Sequence, residues 1–263
     1  MKHSLTRSRF IAWVLPALLL AAWFLASRTG WVADYLLPDP VKIAQTGHNY
    51  IFGLPGSAPY AGRFLSDASA SLLRVSLGFL LAVALGIPLG IVSGRLPFCR
   101  RLLSTTVNGL RAVPGISWLP LALVWFGIGM RTTVFLVALA AFFPIYINTS
   151  AGARHVNPIL YQAGAMMGVR RLRGIYAILL PAAMPQIMSG LRLGLGIAWA
   201  YLVLGELTGV PNGLGAVIMD ARMLGRIDVI IVGIIVIAAM GRLSDIMLIG
   251  ALRLCFKSAR RLT

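Results

Sequence analysis

Acid–base, nucleophilic and metal chemistry need carboxylates, imidazoles and thiols held close together, and this chain has few of them. Its 263 residues include seven Asp plus Glu, three His (His3, His48 and His155) and two Cys (Cys99 and Cys255). The histidines and cysteines are too scattered for a zinc-ligand spacing or a disulfide framework. An intramembrane protease would need a serine beside a histidine, or two aspartates at one depth. The long apolar runs contain no histidine and one aspartate, Asp245. No G-x-x-x-x-G-K-[ST] phosphate loop occurs, so ATP must be bound elsewhere if it is used at all.

The charged residues that do lie within or beside apolar runs are costly there, and each is a functional candidate for that reason. Arg74 stands about one turn into a run, where its long stem can carry the guanidinium out to the interface. Arg192 lies deeper in another run and could pair with a structural partner, attract an anion or point toward cytoplasmic water; a structural partner is the preferred reading. Arg242 and Asp245, three residues apart, share a helix face as an ion pair. Glu206 closes the run that holds Arg192, and these two are the candidates for a pathway or structural charge. Proton-coupled transport usually relies on membrane carboxylates, and Asp245 and Glu206 are the only ones available.

Such residues must be positioned by a membrane domain. Apolar residues make up 59% of the chain and charged residues 12%, against about 45–50% and about 25% in soluble domains. Six runs approach the ~20 residues a bilayer crossing needs: 10–26, 71–92, 113–129, 133–149, 184–204 and 229–249. The first exceeds a signal-peptide core and reads as an uncleaved span. The third and fourth nearly abut, so a single broken or re-entrant element is the alternative there, although Gly127, Gly129 and Arg131 argue for a tight turn. The fold class is therefore an all-α integral membrane protein with six transmembrane helices.

The charges orient it, because lysine and arginine are retained on the cytoplasmic side during insertion. Lys2, Arg7, Arg9, Arg95, Arg100, Arg101, Arg154, Arg170, Arg171, Arg173, Arg253, Lys257, Arg260 and Arg261 fall on the N-terminal side, fourteen in all. Six fall opposite (Arg28, Lys42, Arg63, Arg131, Arg222 and Arg226), offset by Asp34, Asp39, Asp67, Glu206, Asp220 and Asp228. Both termini are expected to be cytoplasmic. The net charge of +17 then follows from topology and attraction to anionic lipid, without nucleic acid. The expected map is a cytoplasmic tail at 1–9, a membrane domain at 10–250, and a basic cytoplasmic tail at 251–263. Within it lie an external connection at about 27–68, with one short surface helix, and a cytoplasmic loop at about 151–182. Most glycines in the spans read as packing, and Trp13, Trp31, Trp118 and Trp199 as interface anchors or core.

The cytoplasmic loop is the most informative segment. QAGAMMG reads as a short helix with small residues on one side, Gly168 as a sharp turn, and VRRLRGIYAILLP as a second short helix ended by Pro181. A protruding helix with a small-residue face is shaped to enter a groove on another protein, and Arg170, Arg171 and Arg173 beside it can meet acidic residues or lipid phosphate. A side chain placed at Gly168 is expected to fill the turn and block such docking.

Here the sequence resembles the permease subunits of ATP-binding-cassette importers, whose loop carries E-A-A, three residues, G, nine residues, I, one residue, L-P. This chain gives Gln162, Ala163, Gly164, then Gly168, Ile178, Leu180 and Pro181 at the same spacings, departing at Gln162 and Gly164. LLPDPVKI, SLLRVSLGFLLAVALGIPLGI, LRAVPGISWLPLALVWFGIG and AAFFPIYINTSAGARHVNP look like the branch that includes nitrate, taurine and aliphatic sulfonate permeases. The resemblance implies a MetI-like fold and no bond chemistry or bound cofactor in this chain, with ATP and Mg on partner subunits. It also implies a second permease copy, two cassette ATPases docked through the loop, an external solute-binding protein, and residence in the bacterial inner membrane. The solute would be a small anion such as a sulfonate, taurine or nitrate. The alternative is an ATP-independent secondary transporter or channel, in which the loop is only a connector.

Overall fold

Between Phe64 and Arg95 the sequence places Gly78, Ala82, Gly86, Gly90 and Gly94 four residues apart, which puts them on one stripe of a helix. In lipid, helices gain no hydrophobic energy by meeting, so they associate where small residues let backbones approach. That stripe faces a second helix, Met130–Arg154. A Cβ at Gly86 would lie 2.9 Å from Ile145 Cγ2, and one at Gly90 2.7 Å from Thr149 Cβ. A third helix, Leu180–Glu206, meets the other side of Met130–Arg154 through Gly190, Gly194 and Ala198. A Cβ at Gly190 would stand 2.8 Å from Asn148 Cβ. The buried chains of this core are correspondingly small or branched: Val75, Leu136, Val137, Ala141, Ile145 and Ala198.

The computed structural model describes residues 2–29, 36–169 and 171–255, and the regular elements among them are all helical. In order they are α1 (Lys2–Arg28), α2 (Pro40–Phe52), α3 (Phe64–Arg95), α4 (Pro97–Ala112), a 3-10 turn (Gly115–Ser117) and α5 (Trp118–Phe126). There follow α6 (Met130–Arg154), α7 (Pro158–Met166), α8 (Arg171–Gly174), a π-helical turn (Ile175–Leu179), α9 (Leu180–Glu206), α10 (Leu214–Met223) and α11 (Ile227–Cys255). Trp31, Asp34, Arg170 and the tail from residue 256 lie outside the described residues.

The chain forms two compact units. One comprises Met1–Ser66 with Val217–Ile235, the other Asp67–Ala216 with Val236–Thr263. In the first, α2 lies between α1 and α3: Asp39 caps it by accepting from the Val41 N–H at 2.9 Å, and Pro40 sits in the first turn, where its missing N–H costs nothing. Ile43 and Tyr50 are its buried face, and Thr46 donates to Asp228 at 2.9 Å. Arg226 grips the same carboxylate through two contacts of 2.7 and 3.1 Å, which holds the guanidinium further above its ordinary pKa.

The second unit holds the core described above. Among the described residues, four helical stretches are long and apolar enough to cross a membrane: Phe64–Arg95, Met130–Arg154, Ile175–Glu206 and Ile227–Leu254. The run expected at 113–129 is not one straight span. α4 and α5 meet at 82° around Val113 and Pro114, because Pro114 has no N–H to continue the first helix and disfavours the helical region for its predecessor. The break falls there, and not between the third and fourth runs, which are separated by the expected turn with Gly127 at φ 71° and Gly129 at φ 138°. The sequence reading of Pro181 as the end of the second loop helix is overturned: no helix ends there. The chain widens into the π turn, where the Leu180 N–H reaches the Ile175 carbonyl five residues back, and then runs on as α9 with Pro181 in its first turn.

The glycine stripe predicts a change of sign between two Gly→Ala substitutions. Gly90→Ala forces a Cβ against Thr149 and is expected to lower the unfolding midpoint in detergent, overpacking costing about 1–3 kcal/mol. Gly109→Ala, on α4 with nothing within 4 Å of the new Cβ, is expected to raise it by up to about 1 kcal/mol through helix propensity. Equal shifts in the two variants would refute close packing at the stripe.

Candidate functional site

The loop between α6 and α9 builds a small protruding unit from local rules. Asn157 caps α7 by accepting from the Ile159 N–H at 3.0 Å, with Pro158 in the first turn. At the other end Gly168 takes φ +76°, the Val169 N–H donates to Gly164 O at 2.9 Å and the Gly168 N–H to Ala165 O at 3.0 Å. This pair of bonds is a Schellman closure, which requires a left-handed residue and therefore favours glycine. A Cβ at Gly168 would meet nothing within 4 Å. The expectation that a side chain would fill the turn is thus corrected: the constraint at Gly168 is its backbone conformation, not its space.

The motif positions are brought together in part. Gly164 is buried, and a Cβ there would run into Ile178 Cδ1, so the departure from alanine at 164 makes room for the isoleucine at 178. Gln162 and Gly168 are exposed, Ala163, Ile178, Leu180 and Pro181 half-buried. Arg170 lies outside the described residues, as does the side chain of Arg171; Arg173 is exposed. The large apolar side chains that α7 and its turn present outward are Ile159, Leu160, Met166 and Met167, the last two 85% and 82% exposed. Beneath α7, Tyr161 lies under Arg95 from the end of α3, with the guanidinium carbon 4.1 Å from the ring centroid. Burial pushes the Tyr161 hydroxyl above its ordinary pKa against the opposing charge of Arg95.

The charged candidates are paired more completely than sequence suggests. Arg74 does not reach for the interface: it is 7% exposed, donates to Glu206 Oε1 at 2.7 Å, and holds the Asn212 carbonyl at 2.7 Å and its side-chain Oδ1 at 2.8 Å. Glu206, fully buried, also accepts from Ser71 at 2.8 Å and from the Gly215 N–H at 2.8 Å. Its role is to tie the loop after α9 to α3. Arg192 has the structural partner preferred above, Asp245, through bonds of 2.9 and 3.2 Å, and Arg242 shares that carboxylate at 3.1 Å. Trp199 is core, 5% exposed, its indole donating to Ser244 at 2.8 Å. Sequence reading missed the Arg74–Glu206 pair, although an isolated arginine and an isolated glutamate at the ends of two spans on the same expected side were the available clue.

Comparison with known proteins places this arrangement. Residues 86–249 match the family described as binding-protein-dependent transport system inner membrane component. A putative aliphatic sulfonates transport permease of Bacillus subtilis is 37% identical over 88% of this chain and 81% of its own length. The taurine transport system permease of Escherichia coli is 33% identical, covering 88% and 82%. A nitrate import permease of Synechocystis is 32% identical, covering 88% and 84%. Among solved structures, a chain of the MetNI methionine ABC transporter in an inward-facing conformation shares the fold with a TM-score of 0.58 at 18% identity, over 70% of this chain and 94% of that one.

The buried pair yields a test of its own. Arg74→Met strands a carboxylate in the core and is expected to cost about 3–5 kcal/mol in detergent unfolding. Adding Glu206→Gln to it removes the stranded charge and is expected to recover part of the loss. A double variant less stable than Arg74→Met would show that the two groups do not act as a pair.

Proposed function

The chain belongs to the family of binding-protein-dependent transport system inner membrane components, and from that premise we propose how it works. It is a permease subunit of an ATP-binding-cassette importer and performs no bond chemistry itself. The solute is a small anion such as a sulfonate, taurine or nitrate, handed over by an external solute-binding protein. ATP and Mg are bound by two cassette subunits on the cytoplasmic side, and a second copy of this chain completes the membrane part.

The observation that carries this reading is the unit at Pro158–Val169, a capped helix closed by a glycine turn and presenting bare methionines. Met side chains are adaptable and suit a groove on a partner that must bind in more than one state. The topology proposed is six crossings, made by α1, α3, the bent pair α4 and α5, α6, α9 with its π turn, and α11, with both termini cytoplasmic and α7 facing the cassette. Gln162, Gly168, Arg170, Arg171 and Arg173 then lie at or beside the docking surface, while Ala163, Gly164, Ile178, Leu180 and Pro181 hold its shape. Closure of two ATP-bound cassettes brings the two loops together and biases the spans toward an outward-open state, the differential affinity of the cassettes for the two arrangements supplying the work.

Four outcomes are expected. In lipid, ATP hydrolysis by the permease with its cassette partner rises only when solute-loaded binding protein is added; failure of any cassette to co-purify would remove the importer reading. Gly168→Val, which forces a β-branched residue into the left-handed region at a cost of about 1–2 kcal/mol, lowers cassette association, whereas Gly168→Asn is tolerated. Met166→Glu leaves the unfolding midpoint unchanged and abolishes association, and a normally associating variant would move docking away from α7. A reporter fused at the C-terminus and active only outside the membrane would overturn the topology.

A further inference from the structure

α7 meets the rest of its unit through Tyr161 against Arg95 of α3 and through Gly164 against Ile178 of the π turn. Beside both contacts lies a cavity of about 480 Å³, bordered by Tyr161 and Ile178 themselves. Its walls are mostly aliphatic, with Ile91, Val92 and Leu96 coming from the end of α3 and Val169 and Ile175 from the run that leads into α9. Arg95 is the one charged residue among those that line it. Water finds no partners against such walls, and apolar cavities stay dry. A cleft of this composition at the end of a span is filled best by hydrocarbon.

The charges around the cleft are unbalanced. Arg95 closes α3 and is exposed. Its guanidinium carbon lies 4.1 Å from the Tyr161 ring centroid, a contact that uses the face of the group and leaves the in-plane N–H fork for an acceptor. Arg95 has no hydrogen bond or ion pair among the described residues. Arg154 ends α6 close by, its backbone nitrogen 3.3 Å from where a Cβ of Gly94 would lie. Arg100 belongs to the first turn of α4 and donates its N–H to Leu96 O at 2.9 Å, and Arg173 precedes the Gly174 that lines the cavity. Against these four arginines the sequence has no Asp or Glu between Asp67 and Glu206. Those two stand at the far ends of α3 and α9, and the remaining acidic residue of the unit, Asp245, is shared by Arg192 and Arg242. Only an anion from outside the chain can answer this patch.

We propose that the cleft binds one anionic phospholipid, its phosphate on Arg95 and an acyl chain along the aliphatic wall, and that the lipid braces α7 against α3. On the topology proposed above the cleft opens at the cytoplasmic leaflet, where basic pockets between spans take anionic headgroups. A soluble phosphate would use Arg95 and leave the apolar wall wet. A zwitterionic phospholipid would bring an ammonium group among the arginines. The effect on coupling rests on the importer reading, in which α7 is the surface a cassette grips; the binding itself does not.

The test is native mass spectrometry of the purified full-length chain titrated with phosphatidylglycerol or phosphatidylcholine in one detergent. The first phosphatidylglycerol is expected to bind at least about tenfold more tightly than the first phosphatidylcholine. Arg95→Gln is expected to weaken it about fivefold, the share of one basic residue beside an anionic headgroup. Ala165→Phe, which fills the aliphatic part from α7, is expected to weaken it with Arg95 still in place, unfolding midpoints being compared for each variant. Arg131→Gln, at the opposite end of α6 from Arg154, removes the same charge and is expected to leave the affinity unchanged. Equal affinity for the two lipids, an Arg95→Gln loss matched by Arg131→Gln, an unchanged affinity in Ala165→Phe, or displacement of the lipid by an equal concentration of inorganic phosphate would overturn the proposal. In nanodiscs, ATP hydrolysis by the permease–cassette complex is expected to rise with the phosphatidylglycerol fraction, and not to do so in Arg95→Gln; equal rises in both would overturn the bracing role. If no cassette associates, the importer reading fails while the lipid titration still decides the site.

Discussion

Backbone proximity between α6 and its two neighbours is the constraint on which the rest of the second unit depends. Helices in hydrocarbon are not pushed together by water, so contact must be gained through dispersion, and dispersion falls off within an ångström of separation. The stripes Gly78, Ala82, Gly86, Gly90, Gly94 on α3 and Gly190, Gly194, Ala198 on α9 bring both backbones onto α6, where Ile145 is enclosed from both sides. With α6 clamped in this way, the residues it carries at mid-depth, Phe143 and Asn148 among them, have fixed positions that a looser bundle would not give them.

The same tight packing dictates what charge can be held inside. A guanidinium within the protein needs acceptors for its donors, and Arg74 makes three such bonds, to Glu206 and to both oxygens of Asn212. This arrangement fixes the loop that follows α9 by three backbone N–H contacts, from Gly213 to Asp67, Leu214 to Ser71 and Gly215 to Glu206. Arg192, Asp245 and Arg242 make a corresponding tie between α9 and α11, leaving one positive charge in excess. Ion pairs of this kind contribute geometry more surely than stability. They set which helices move together.

How much of this was legible in the sequence depended on the range of the interaction. Four of the six apolar runs, the helix α2 and the turn at Gly127 to Gly129 are local patterns, and each marks a feature found among the described residues. Partnerships across elements were not legible. Arg74 looked like a residue free to reach the interface because its carboxylate lies 132 positions away. Pro181 was misread: a proline's missing N–H breaks a helix where nothing compensates, as at Pro114, but a single π turn absorbs it before Pro181. Arg95 counts in the sequence only as an orienting charge, because its place beside a cavity arises from the contact of α7 with the end of α3.

The continuity across Pro181 bears on how motion passes from the loop before α9 into the helices it joins. Had the second loop helix ended there, a push on α7 would have been taken up by a hinge. Instead α8, the π turn and α9 form one uninterrupted run, and α7 leans on it where Ile178 occupies the space left by Gly164. A partner gripping α7 therefore acts on α9 through packed side chains, and α9 is bound in turn to α6 by its glycine stripe and to α11 by Arg192. Tyr201 and Ile197 ride on that same helix, whereas Arg111 and Trp118, which line one cavity with them, flank the α4–α5 break. A tilt of α9 must therefore change the distance between Tyr201 and Trp118.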